Sequence, residues 1–128
     1  MEGSQGQNEP RPLGIEDLEA CLALDRMALN GLWTSKQWTR ELTDDHRIAL
    51  GIEDAESQLI ALAAGWLVAD ELQITAVAVA PHQRKQGLGT QITKALIQRG
   101  GIAGAVKASL DVASNNRAAI ALYASLGF

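Results

Sequence analysis

The sequence predicts a mixed α/β (α+β) fold in which an antiparallel meander is followed by a β-α-β-α segment. Three runs rich in apolar and β-branched residues are separated by short polar turns, as is typical of a meander. These runs cover residues 47–52, 58–68 and 71–80. A helical pattern over 90–99 and a strand over 105–112 follow, with Gly100, Gly101 and Gly104 as a flexible link, before a last helix. Because parallel strands need a crossover connection, we expect a parallel step around the helix at 90–99.

Two helices are predicted before the meander. Apolar residues recur at helical spacing over 15–29, and Asn30–Gly31 is a typical helix end. Thr34 and Gln37 have the spacing of a capping box, which predicts a second helix that runs to Leu42.

Length and composition limit the possible classes of protein. A chain of 128 residues with 47% apolar residues suits one domain, which we expect over 13–128, after a disordered leader over 1–12. A single cysteine, Cys21, excludes a disulfide framework, and no histidine has ligand-like spacing, so we expect no metal. The longest nearly uncharged stretch, 59–69, is too short for a membrane span. With no secretory signal pattern, these features predict a cytoplasmic protein.

Acidic and basic residues are distributed unevenly along the chain. Residues 1–71 hold fourteen acidic and five basic residues, whereas residues 72–110 hold no acid and five bases. The net charge of −4 argues against nucleic-acid binding, and the basic middle indicates a local anion site in a surface that suits a cationic partner. The alternative is a chance clustering of solvated bases.

The segment Arg84–Thr90 connects a predicted strand to a predicted helix. Gly87 and Gly89 let the main chain approach a ligand, and the N–H groups of a first helical turn have no intrahelical acceptor. Together they predict a pyrophosphate site. No Gly-Lys-Ser/Thr follows, as in a P-loop, and Ile92 stands where a dinucleotide fingerprint has its third glycine. The alternative is a glycine turn required only by geometry.

Motifs before and after this glycine segment combine with it into one longer pattern. R-x-x-G-x-G follows a strand ending Ala-Val-Ala-Pro, and Ser-Leu-Asp-Val (109–112), Asn116 and the tail 119–128 come after it. This pattern resembles the GNAT superfamily of N-acetyltransferases, and within it the bacterial ribosomal-protein-alanine N-acetyltransferases of the RimI type. The resemblance is strong over 71–128 and weaker over 13–70.

The resemblance implies transfer of an acetyl group from acetyl-CoA to an amine by direct attack on the thioester, without a metal. It also implies a bulge that splays the central sheet, with pantetheine along Val77, Ala78 and Val79 and the Val79 N–H donating to the thioester carbonyl. Asn116 matches an asparagine that contacts the CoA arm. The implied pyrophosphate site consists of Arg84, Gln86, Gly87, Leu88, Gly89 and Thr90, with Lys85 adding positive charge.

Three residues are candidates for the proton transfers. The resemblance makes Tyr123 the general acid for the leaving thiolate; the alternative is a tyrosine that packs in the core. Asp111 stands where relatives have a glutamate thought to be the base, and its shorter side chain implies a bridging water. Glu71 is the alternative base, or it orients the acceptor ammonium. Both carboxylates could instead be ordinary surface charges.

The acceptor implied is the cationic N-terminus of a protein, bound by a monomer or weak dimer. The resemblance implies a further β-hairpin after Phe128, which we expect to be missing here. The alternatives are therefore a catalytically weak acyl-CoA-binding module, an inactive fragment, or an acetyltransferase for a small-molecule amine. Trp33 and Trp38 could line a peptide groove or simply pack between helices.

Overall fold

The computed structural model describes residues 9–83 and 87–110, with only the main chain for Leu110. It confirms the mixed α/β fold: one five-stranded sheet in the order β1-β2-β3-β4-β5, with three helices. The strands are β1 (Arg11–Pro12), β2 (Arg47–Glu53), β3 (Leu59–Val68), β4 (Glu71–Val79) and β5 (Lys107–Leu110). The helices are α1 (Leu18–Leu29), α2 (Ser35–Thr43) and α3 (Leu88–Ile102).

The sheet combines an antiparallel meander with one parallel pair. β1, β2, β3 and β4 pair antiparallel in sequence order, whereas β5 pairs parallel with β4 from Glu71↔Lys107 to Ile74↔Leu110. α3 makes the crossover between these two strands, as predicted. The parallel step therefore places the start of α3 at the same end of the sheet as the C-terminal end of β4.

Helices cover both faces of the sheet. A Cβ on Gly100 of α3 would lie 3.0 Å from a methyl of Leu72, so α3 packs on the face to which Leu72 points. The neighbouring residue Gln73 points to the other face and pairs with Trp66, which pairs with Arg47. Arg47 forms an ion pair with Glu41, so α2 lies on this second face, together with α1, which packs against α2, β3 and β4.

Burial on both faces explains the composition of β3. Its residues 61–64, Ala-Leu-Ala-Ala, have no exposed surface, because the strand is central and is covered by helices above and below. A strand in that position has a continuous apolar sequence rather than an alternating one. The small alanines allow the helices to approach the sheet closely.

The connection between α1 and α2 is organised by one buried carboxylate. Asp25, which is 1% exposed, accepts hydrogen bonds from the Leu32 N–H (2.7 Å), the Trp33 N–H (3.0 Å) and Trp38 Nε1 (2.7 Å). Asn30 ends α1 in the left-handed region at φ 59°. The capping box of Thr34 and Gln37 is confirmed, with both of its hydrogen bonds present.

Some predicted boundaries were wrong. Arg11 and Pro12, which we placed in the leader, form β1, and Arg11 makes ion pairs with Asp17 (2.8 Å) and Glu53 (2.9 Å). Gly100 and Gly101 form no flexible link, since both belong to α3. Gly100 is required there because it lies against Leu72. The last strand begins at Lys107 rather than at residue 105, and α3 begins at Leu88 rather than at residue 90.

Two searches were negative within the described ranges. None of the helices there is both long and apolar enough to cross a bilayer. The same residues contain no group of three or more histidine, cysteine, aspartate or glutamate side chains arranged to hold a metal ion.

Candidate functional site

The N-terminus of α3 presents main-chain N–H groups for which the described residues provide no partner. Gly87 caps the helix in the left-handed region at φ 79°, and the Gln91 N–H makes the first helical hydrogen bond to the Gly87 carbonyl (2.9 Å). The N–H groups of Leu88, Gly89 and Thr90 therefore have no acceptor within the helix, and no described side chain caps them. A 15-residue helix also directs the positive end of its dipole to this point.

Among the described residues, open space surrounds this helix end. A Cβ on Gly87 would meet no described atom within 4 Å, and Gly89 and Thr90 are each partly exposed. The left-handed φ at Gly87 suits glycine and few other residues. Free N–H donors, a helix dipole and open space are the features that an anion site requires.

A β-bulge interrupts β4 before it reaches this site. Ala64 pairs with Ala76 and Gly65 with Ile74, so Thr75 is the extra residue, and its hydroxyl donates to the Ala64 carbonyl (3.3 Å). The bulge lies two residues before the segment Val77–Val79 to which the resemblance assigned it. The pairing with β5 ends at Ile74↔Leu110, level with the bulge, at the last described residue of that strand.

The main chain of β4 beyond the bulge turns alternate groups away from β3. The Ala80 N–H donates to the Ile60 carbonyl of β3 (2.8 Å), so the preceding Val79 N–H points to the opposite edge of β4. That edge is the one along which β5 pairs further back. Val77 and Ala78 are buried, while Val79 is partly exposed.

Glu71 lies far from the other candidate site residues that the structure describes. Glu71 is the first residue of β4, in register with Lys107, and lies about 26 Å along the strand from Val79 at about 3.3 Å per residue. Its place on the strand is at the end remote from the N-terminus of α3. The remaining predicted site residues, whose positions the structure does not test, are Asp111, Asn116, Tyr123, Arg84, Lys85 and Gln86.

Other residues with possible chemistry take structural roles. Burial raises the pKa of the Cys21 thiol to about 12, which keeps it protonated and confirms its place in the core. Trp38 has no exposed surface and meets Trp33 edge-on with 4.7 Å between ring centroids, so packing explains it better than a peptide groove does. Arg11, through its hydrogen bond, lowers the pKa of Asp17.

Two features were missed from the sequence. Thr93, one turn into α3, is 2% exposed, and its hydroxyl has no partner among the described residues. Trp66 is exposed on β3 with the Arg47 guanidinium 4.7 Å from its ring centroid. Both features depend on packing between segments that are distant in the sequence. For the exposure of Trp66, the only signal in the sequence was its spacing of two from Val68 near the end of β3.

Comparisons with known proteins agree with this geometry. Residues 17–128 match the family described as Acetyltransferase (GNAT) family. The chain is 39% identical over 117 residues to the ribosomal protein bS18-alanine N-acetyltransferase of Salmonella typhimurium, covering 91% of this chain and 77% of the relative.

Solved structures show the same architecture. The ribosomal-protein-S18-alanine N-acetyltransferase from Escherichia coli superposes with a TM-score of 0.82 at 28% identity, covering 94% of this chain and 76% of that one. An aminoglycoside N-acetyltransferase in complex with CoA gives a TM-score of 0.78 at 18% identity, covering 99% and 91%. At that lower identity the likeness shows the fold alone.

Proposed function

Since the chain belongs to the acetyltransferase (GNAT) family, we propose that it transfers an acetyl group from acetyl-CoA to the α-amino group of a protein N-terminus. The observation that carries this proposal is the uncapped N-terminus of α3 at the C-terminal end of β4. Acetyltransferases of this family use acetyl-CoA, and a solved structure of similar fold is a complex with CoA. The relatives named for alanine N-acetylation support the protein acceptor.

The residues present fit a diphosphate. The N–H groups of Leu88, Gly89 and Thr90 lack acceptors, and no described carboxylate caps them. Residues 72–110 contain no acidic residue at all, so no nearby side chain of that segment competes with a bound anion. Arg84 and Lys85 come four and three residues before Leu88 in sequence and would add positive charge for the pyrophosphate.

The direction of the β4 main chain supports a second contact. The Val79 N–H points away from β3, toward the edge where pantetheine would lie. As the amine attacks the thioester carbonyl, negative charge develops on the oxygen, and an N–H donor already in place stabilises it. Val77 and Ala78, buried next to it, would exclude water from the thiol end of the coenzyme.

Proton transfers complete the reaction. The new C–N bond forms as the C–S bond breaks; we assign the proton that the thiolate gains to the Tyr123 hydroxyl. We assign the proton that the amine loses to Asp111, through a water molecule, since Asp111 follows directly after β5 in sequence. Glu71, about 26 Å from Val79 along β4, is too far from the thioester to be the base or to orient the acceptor ammonium, so we assign it neither role.

The test is acetylation of peptides followed by mass spectrometry. We expect a peptide that begins with alanine to gain one acetyl group at its α-amino nitrogen in the presence of acetyl-CoA, and the same peptide with a blocked N-terminus to gain none. Transfer to an aminoglycoside but to no peptide would replace the proposed acceptor with a small-molecule amine. Binding of acetyl-CoA without transfer to any amine would make the chain a binding module.

A further inference from the structure

One part of the sheet exposes large apolar side chains. Trp66 and Val68 of β3 are each 38% exposed, although β3 is otherwise buried as far as Gly65. Their neighbours across the ladder are Gln73 and Glu71 of β4. We call these four residues the Trp66 surface; it lies on the face opposite α3, beyond the area that α1 and α2 cover.

Trp66 is held in place. The Arg47 guanidinium lies 4.7 Å from the ring centroid and covers one side of the indole. Arg47 is itself fixed by an ion pair with the buried Glu41 and by Asp44, whose carboxylate lies 3.8 Å from Nε. The indole is therefore an exposed side chain on a rigid support, which loses little conformational entropy when a ligand binds.

Acidic residues surround this surface. The Leu67 N–H donates to the His46 carbonyl (2.7 Å), which brings the loop before β2 beside the end of β3. Three cations are close among the described residues: Arg47, which Glu41 and Asp44 already engage, Arg40, near enough to interact electrostatically with Arg47, and Lys107, in register with Glu71. The carboxylates around the surface belong to Glu41, Asp44, Asp45, Asp70 and Glu71. With five carboxylates and three cations, the surface favours a cationic partner.

Partly exposed residues extend from the Trp66 surface along β4 as far as the bulge, whereas residues 76–78 beyond it are buried. Glu71, Gln73 and Thr75 are each half-buried, and Glu71 and Gln73 alternate onto the same face of the sheet. Gln73 lies about 20 Å along β4 from Val79 at about 3.3 Å per residue. An extended peptide spans that distance with about six residues.

We infer that the Trp66 surface binds a basic segment of the acceptor polypeptide, about six residues after the amine that receives the acetyl group. The inference rests on the proposed function for its acceptor. The alkyl part of a lysine or arginine would pack on the indole of Trp66, and its charge would face Asp45, Asp70 and Glu71. The surface thus selects the sequence that follows the acetylated residue and takes no part in the chemistry.

Direct binding tests this without requiring turnover. Two fluorescent peptides of about ten residues, both already acetylated at the N-terminus, carry either lysines or serines near position six. We expect the lysine peptide to bind the full chain about tenfold more tightly by fluorescence anisotropy, with the difference lost at high ionic strength.

Matched variants locate the binding. Trp66→Ala and the double variant Asp45→Asn with Asp70→Asn should each weaken binding of the lysine peptide about fivefold. The control double variant, Glu19→Gln with Glu56→Gln, removes two exposed charges elsewhere and should change nothing. Unchanged circular dichroism and acetyl-CoA affinity would show that Trp66→Ala still folds.

The outcomes separate this inference from the proposed function. Three results would refute the role of the Trp66 surface even if peptides are acetylated. They are equal affinity for both peptides, unchanged binding of the lysine peptide by Trp66→Ala, and an equal loss of binding in the control variant. Selective binding of the lysine peptide, lost in the two test variants, would support the surface even if the unblocked peptide is never acetylated.

Discussion

The acidic N-terminal part of the chain and the acid-free segment 72–110 differ in whether a side chain accepts hydrogen bonds from their free main-chain N–H groups. In the first, carboxylates accept from the turns: Asp25 binds the N–H groups of Leu32 and Trp33, and Asp54 binds those of Glu56 and Gln58 (both 2.9 Å). At the start of α3, no described side chain does this. The fold itself satisfies the first set of N–H donors, and we propose that an external anion satisfies the second.

The largest effect is expected from a carboxylate placed at the start of α3. Gly89→Asp would bring a negative charge to the donors that we assign to the pyrophosphate, and like charges in contact cost several kcal/mol, so acetyl-CoA affinity should fall about a hundredfold or more. Isothermal titration calorimetry measures this affinity. Gly101→Asp is the matched control at the other end of the helix, where a Cβ meets nothing within 4 Å, and its affinity should be unchanged. Equal losses in both variants would refute the assignment.

Removing one hydroxyl should separate coenzyme binding from chemistry. Tyr123→Phe should lower kcat about a hundredfold, the usual contribution of a positioned general acid, with little change in acetyl-CoA affinity. Steady-state kinetics and calorimetry on the same protein provide both values. A variant with the kcat of the parent would show that another group protonates the thiolate.

In the acidic part, removal of a capping carboxylate should affect stability instead. Asp25→Ala leaves two main-chain N–H groups and the Trp38 indole N–H without an acceptor in a buried place, so unfolding free energy should fall by about 3 kcal/mol. Asp54→Ala, in the exposed turn between β2 and β3, should cost less than about 1 kcal/mol because water replaces the carboxylate. Urea denaturation compares the two, and similar losses would contradict the role of burial.

The smallest expected effect concerns pH. Arg11 lowers the pKa of Asp17, so the stabilisation from this carboxylate is complete above its unfolded pKa and is lost as the pH falls through the lower, folded value. With Arg11 39% exposed, we expect less than about 1 kcal/mol. Asp17→Asn should flatten the acid limb of a plot of stability against pH. An identical limb in both proteins would show that the pair contributes nothing.

Local patterns in the sequence were sufficient for most elements of the fold. The Thr34 and Gln37 capping box, the end of α1 at Asn30 and the meander were predicted because each depends on residues close together in the chain. Gly100 was misinterpreted because its small size serves contact with Leu72, 28 positions earlier in the chain. Arg11 was missed for the same reason, since its strand pairs with Gly51.

For the candidate site, the sequence predicted the elements and not the binding. The strand before the glycines and the helix after them were predicted because all three are adjacent in sequence, while the anion site itself stays a prediction. The exposure of Trp66 and its contact with Arg47 depend on the register of β2 and β3, which sequence patterns alone do not determine. The roles of Asp111 and Tyr123 stay predictions based on the family resemblance.

The most direct measurement is the response of individual main-chain N–H groups to CoA, followed by nuclear magnetic resonance on the ¹⁵N-labelled chain. We predict that the amide signals of Leu88, Gly89 and Thr90 shift most on titration with CoA, together with Val79, while those of Leu32 and Trp33, already bonded to Asp25, stay in place. Binding of CoA that leaves the α3 amides unmoved, or no binding at all, would contradict the account.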